Sequence, residues 1–290
     1  SGPFVLPPKD GTELLCTLYT SLDCRKGTAV SLSAEPRRRN ALDSGEAERR
    51  RQRYRVAGVL FIVGAVLVNI PYIMLISTFE YPDILREDTA RILTDFADGG
   101  DSLTFTWLAF AWSGIPLLVA VLLLRRILEE DRHPLAGAAT TIGVIGLVVQ
   151  MVGLLRWVFV VPGLAEAYTA PNATDATQAS AVVTFDAIHQ YGGVVLGEHM
   201  GQAFTIAWMI LVAAMMLRSE LFPRWLGWMG LVAAAIYSLG QLELIETVIE
   251  DFPYVGPAAL IGSLLWLAWM LIMGIRLLTA TPQETKHAHH

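Results

Sequence analysis

The stretch FDAIHQYGGVVLGEHMGQAF, residues 185–204, runs directly into the apolar segment TIAWMILVAAMMLRSE. It sets Asp186, His189, Tyr191, Glu198, His199 and Gln202 at the entrance to hydrocarbon-like sequence. Such groups can accept, donate and relay protons, and a histidine does so near neutral pH. They are costly in a bilayer unless a partner satisfies them. Two further residues belong with them by type: Arg156 inside the apolar run LLRWVFVV, and Glu243 in GQLELIE. Arg156 reads either as a snorkelling or structurally ion-paired residue, with Glu198 or Glu243 as its partner, or as a clamp for an anionic ligand.

Helical geometry sorts the residues of 185–204. At 100° per residue, Tyr191, Glu198 and Gln202 fall within about 40° of one another, with His199 about 80° to one side. His189, Gly193, Gly197 and Gly201 follow one another at intervals of four. The glycines make a small-xxx-small ridge, the kind of surface a neighbouring helix backbone approaches closely. His189 and Glu198 then lie on opposite sides, which disfavours a single tight metal site. Glu198 and His199 stay as weak metal candidates, a haem has no attachment motif, and no cofactor is expected. Glu243, Glu246 and Glu250 share a further face, read as a solvated helix end or an acidic mouth.

The elements that must position these groups are transmembrane helices. Of 290 residues, 54% are hydrophobic and 17% charged, and the mean hydropathy is +0.49. A soluble domain carries about 25% charged residues. The apolar residues come in runs such as VAGVLFIVGAVLVNIPYIMLI, and about 20 such residues match the hydrocarbon thickness. Six spans are expected, at 56–78, 103–125, 137–161, 194–217, 225–247 and 256–278. The fold class is an all-α integral membrane protein, a six-helix bundle over residues 55–280. A polar basic N-terminal segment, 1–54, precedes it and a short tail, 281–290, follows. The stretch 79–102, with Ile84, Ile92, Leu93 and Phe96, is expected as an amphipathic helix lying on the outer surface, and 163–182 as a polar outer loop.

Residues 25–55 carry ten Lys and Arg, and Arg125, Arg126, Arg132, Arg218, Arg224 and Arg276 follow alternate spans. The positive-inside rule then places both termini in the cytoplasm. There Cys16 and Cys24, the only cysteines, are expected as reduced thiols. Part of the opening SGPFVLPPKDG reads as a remnant of expression or processing, and the closing HAHH as a solvated end or a tag remnant. From Leu217, Glu198 and His199 lie about 27–29 Å up the helix, near the outer boundary of the hydrocarbon. Arg156, Trp157, Gln241, Glu243 and Glu246 fall at a similar height, so the polar groups converge on the outer leaflet. The inner half reads as almost purely apolar.

No G-x-S-x-G, H-E-x-x-H, P-loop or dinucleotide fingerprint is present, and nothing points to nucleic acid. The segments RWVFVVPGLAEAY, FDAIHQYGGVVLGEHMGQAF and LFPRWLGWMGLVAAAIYSLGQLE resemble a bacterial membrane family, domain of unknown function 4386. The resemblance spans roughly 50–280 and implies a multi-pass protein of the bacterial inner membrane, with no activity attached. Function therefore rests on the polar groups. They suggest a pocket between spans 3, 4 and 5 for a small amphipathic or anionic ligand, clamped by Arg156. Glu198 and His199 would handle protons, and Tyr191 and Gln202 would hydrogen-bond. Two alternatives stand beside this: a non-catalytic subunit or assembly factor with a purely structural cluster, or an intramembrane acid–base or metal-dependent enzyme. Partners beyond the lipid bilayer would be such a ligand, a second copy or a membrane complex.

Overall fold

A computed structural model describes residues 34–249 and 251–280, with side chains from Ser44 onward. Cys16, Cys24, the side chains of the first arginine run, Glu250 and the HAHH tail lie outside the described residues. The chain divides into two units, Ser1–Ala47 and Glu48–His290, and the functional residues all belong to the second. Among the described residues there is no strand. The helices are α1 (Ala34–Phe79), α2 (Thr89–Trp112), α3 (Gly114–Glu130), α4 (Ala136–Phe159), α5 (Val161–Thr169), α6 (Asp175–Ile188), α7 (Gly201–Met216), α8 (Arg224–Glu246) and α9 (Ala258–Thr279). A 3₁₀ turn at Asp83–Arg86 precedes α2, and a π-helix, His189–Met200, joins α6 to α7.

Six helical stretches are long and apolar enough to cross a membrane. They are Ser44–Phe79, Thr89–Glu130, Ala136–Thr169, Asp175–Met216, Arg224–Glu246 and Ala258–Thr279. Each contains or closely matches an expected span, but the first four are considerably longer. The second and fourth have 42 residues each. At about 1.5 Å per residue they reach roughly 60 Å, twice the hydrocarbon thickness of about 30 Å. Much of each therefore stands beyond an apolar slab.

Those extensions overturn two expectations. Residues 163–182 are largely helical, in α5 and α6, rather than a structureless loop. Pro162 pre-sets the first turn of α5. Thr174 caps α6 by accepting a hydrogen bond from the Thr177 backbone at 3.2 Å. Residues 89–99 form the start of α2, and their apolar face meets protein. Ile84, Ile92, Leu93 and Phe96 are all buried, packed with Phe79, Trp107, Trp157, Ala165 and Phe185. At about 1.5–3 kcal/mol for each buried side chain, this packing holds a roof over that end of the bundle. Gly100 breaks α2 beneath it, with φ +54° and ψ −149°, a conformation that favours glycine.

Two apolar cores result. One fills the bundle between α1, α3, α4, α7, α8 and α9, around Phe61, Leu124, Met209, Met216, Trp269 and Met273. Its end carries the arginines: Arg53 bonds Glu130, Ser219 bonds Asp131, and Arg276 donates to the Leu221 carbonyl at 3.2 Å. The second lies under the roof at the opposite, acidic end. The π-helix and α7 pack against both α4 and α8, so the fourth span stands inside the bundle.

Candidate functional site

The polar residues gather where the two cores meet, around the π-helix. Its sequence, HQYGGVVLGEHM, carries three glycines, which favour the α-helix least among residues other than proline. Bonding from i to i+5 widens the turn and changes which residues share a face. The stripe expected from α-helical angles therefore does not hold. Tyr191 is 65% exposed and lies away from the half-buried Glu198.

The glycine ridge meets α4. A Cβ on Gly153 would stand 2.9 Å from the Gly192 carbonyl oxygen and from the Gly197 nitrogen, so the two backbones touch there. A side chain at Gly193 would occupy the place of the Arg156 guanidinium, 2.5 Å from its Cζ. Gln150 covers the last glycine: its amide donates to the Gly201 carbonyl at 3.1 Å and to the Thr205 hydroxyl at 2.8 Å. This side-chain support spans the junction at which the π-helix returns to α-helix.

Arg156 is 7% exposed. One Nη donates to the Gly153 carbonyl at 2.6 Å, and the other approaches His189 Nδ1 at 3.4 Å. Arginine has no acceptor, so His189 Nδ1 must present its lone pair, and the hydrogen of the neutral ring sits on Nε2. His189 stacks on Phe185 with centroids 5.3 Å apart. Among the described residues, the Arg156 Nε has no hydrogen-bond partner, and neither do the buried indole N–H groups of Trp157 and Trp107. Those two indoles stack at 4.7 Å and 9°, and the guanidinium lies 5.2 Å from the Trp157 ring.

Neither carboxylate proposed as partner of Arg156 pairs with it. Glu243 bonds Arg86, a residue of the 3₁₀ turn. Glu198 lies within electrostatic reach of Arg156, Glu243 and Arg86 yet forms no ion pair or hydrogen bond with any of them. Two phenols, Tyr81 and Tyr237 of α8, lie within electrostatic reach of Glu198. Tyr81 stands 5.7 Å from Tyr72 and 5.1 Å from Trp107 between ring centroids. Burial first, and then the Glu198 charge, push the Tyr81 hydroxyl above its ordinary pKa, so it remains a donor.

His199 and Gln202 turn toward α8. His199 Nδ1 donates to Gln241 Oε1 at 3.1 Å, and the Gln241 amide donates to Gln202. Gln190 adds a bond to Thr247 on the same seam. Asp186 accepts from Thr89 and ties α6 to the start of α2. Glu246 is half-buried beside this seam. Among the described residues, no three of His, Cys, Asp and Glu gather in a way that could hold a metal ion.

Residue types had marked Arg156, Glu198, His199, Gln202 and Glu243, and the fold brings all of them to one end of the bundle. Arg86, Tyr81 and Tyr237 lie there too, and nothing in the local sequence pattern sets them apart. A family model described as Domain of unknown function (DUF4386) matches residues 56–274, a span that contains every residue of this site. No curated protein and no solved structure matches the chain.

Proposed function

This chain belongs to the family described as Domain of unknown function (DUF4386), and from the site it carries we propose that it binds a small ligand through an anionic group seated on Arg156. The family description names no reaction, so side-chain chemistry carries the reading. One observation supports it above the others: a buried arginine keeps an unpartnered Nε, beside two unpartnered indole N–H groups, and has no carboxylate bound to it. Buried donors without acceptors are costly, at about 1–3 kcal/mol each or more when charged. A carboxylate or phosphate oxygen would satisfy them, and a guanidinium suits both. The aromatic groups around Tyr81 and Trp107 would accept an apolar portion of the same ligand.

The arginine distribution supports an orientation with the basic end in the cytoplasm and this site at the outer leaflet. The six apolar stretches and the family resemblance together favour a bacterial inner membrane. Calorimetric titration of the full chain in non-ionic detergent with short carboxylates and with inorganic phosphate tests the site. Binding that disappears in Arg156→Gln is the expected result, and indifference of every probe to that change sinks the reading.

A second reading, a structural cluster in a non-catalytic membrane subunit, draws on the internal contacts of Arg156 with Gly153 and His189. It requires that Glu198→Gln and His199→Asn each lower thermal stability markedly. Retention of full stability by both removes it.

A further inference from the structure

Arg156 and Glu198, a base and an acid on neighbouring helices, lie within electrostatic reach of one another and form no ion pair among the described residues, although the Arg156 guanidinium packs on Gly193, five positions before Glu198. In a poorly solvated bundle two such groups would gain from contact. Each is instead left with free valence on its own. The Arg156 Nε, buried against Gly193, has no hydrogen-bond partner among the described residues. The Glu198 carboxylate has no hydrogen bond at all among the described residues, although the bundle half-buries it. Glu243, Tyr81 and Tyr237 lie within electrostatic reach of Glu198, and Tyr72 packs on Tyr81 with centroids 5.7 Å apart. A carboxylate with aromatic rings at its side is the set that receives an ammonium group.

The order of charges gives the arrangement a direction. Arg86 and Glu243 form a pair at the exposed edge, with side-chain exposures of 63% and 21%. Glu198 lies within reach of that pair, and Arg156 is the buried member. An entering molecule meets an exposed ion pair, then a carboxylate, then a guanidinium. Exposed pairs contribute little and open easily. The roof of Ile84, Ile92, Leu93 and Phe96 is buried, whereas the edge between the 3₁₀ turn and α8 carries the exposed Arg86.

We propose that the ligand is a zwitterion, bound with its anionic group on Arg156 and its ammonium group on Glu198, and that it enters past the Arg86–Glu243 pair. This rests on the reading of Arg156 as an anion seat and adds the second charge. A proton on Glu198 is the competing occupant, and it would leave the site selective for plain anions.

The test uses matched small molecules on the full chain in non-ionic detergent. The zwitterions glycine, β-alanine and γ-aminobutyrate are titrated beside acetate, propionate and butyrate, and beside methylamine, ethylamine and butylamine, by calorimetry. At least one zwitterion is expected to bind about tenfold more tightly than its matched acid and amine. Glu198→Gln, which keeps the side-chain volume, is expected to erase that preference while leaving the acid bound within about twofold. Glu243→Gln, nearer the surface, is expected to weaken zwitterion binding in the same sense, and it serves if the first variant proves unstable. Equal binding of acid and zwitterion in the unmodified protein overturns this inference and leaves Arg156 as an anion site. A preference that survives Glu198→Gln overturns it as well. Absence of binding by every molecule overturns both readings.

Discussion

Arg156 and Gly193 share one space: the guanidinium lies where a side chain at position 193 would have to stand, 2.5 Å from its Cζ. The arginine can therefore be buried between α4 and the π-helix only because residue 193 has no Cβ. Gly193→Ala should displace Arg156 and lower stability by about 1–3 kcal/mol, the usual cost of overpacking. Combining it with Arg156→Met should recover part of that loss, because the two residues are in contact and their effects do not add. Thermal unfolding of the two single variants and the double variant measures the coupling. Strict additivity would show that the two residues do not share the space.

Replacement of the arginine itself separates an ion pair from an unpaired charge. Loss of one partner from a buried ion pair costs about 3–5 kcal/mol. Because Arg156 bonds a main-chain carbonyl and an imidazole, Arg156→Met should change stability by less than about 1.5 kcal/mol, as a swap of similar volume does. Chemical denaturation in a fixed detergent gives the number. A loss as large as that of a broken ion pair would mean that Glu198 closes on Arg156 in solution.

Gln150 is the other side chain that α4 sends into the fourth span. Gln150→Leu removes the donor to the Gly201 carbonyl and to Thr205. The expected cost is about 1–3 kcal/mol for buried acceptors left unmet. Hydrogen exchange should rise in residues 197–205, at the end of the π-helix, before it rises in α8. Unchanged exchange there would deny Gln150 its part in holding the junction.

The Arg86–Glu243 pair behaves differently. With Arg86 largely exposed, Arg86→Ala should cost no more than about 1 kcal/mol, and raised salt should shrink the difference further. If the pair guards the site, the same change should alter the rate at which a bound ligand associates more than its final affinity. Stopped-flow measurement reads both, and a large loss of stability with no kinetic effect would make the pair structural.

Composition alone made the six spans legible, because long apolar runs admit little else at that hydropathy. Arg156 and the glycines were legible for the same reason: an arginine in LLRWVFVV and glycines at intervals of four are anomalies against an apolar background. The face on which Tyr191 sits was misjudged because angles of 100° assume an α-helix throughout. The i to i+5 turn over His189–Met200 moves Tyr191 to the outside. Residues 163–182 hid their helices behind alanine and threonine, which leave a weak apolar period, and the fold is secured there by Val161, Ala165, Ala181 and Phe185. The partner of Glu243 could not be read at all. Arg86 lies 157 positions away and belongs to a short 3₁₀ turn with no periodic signal.

The stacked indoles of Trp107 and Trp157 give the molecule an optical property of its own. Rings 4.7 Å apart and 9° from parallel are close enough to couple their excited states, and transition dipoles skewed within such a pair produce paired bands of opposite sign in ultraviolet circular dichroism. Trp225 and Trp228 lie exposed at the other end and report only on their surroundings. Trp208 and Trp269, 5.6 Å apart in the other core, form a second close pair, so the share of the first, where Arg156 rests against Trp157, is read from what Trp157→Phe removes. Anything that takes up residence there, or that loosens the roof above it, can be watched without attaching a label.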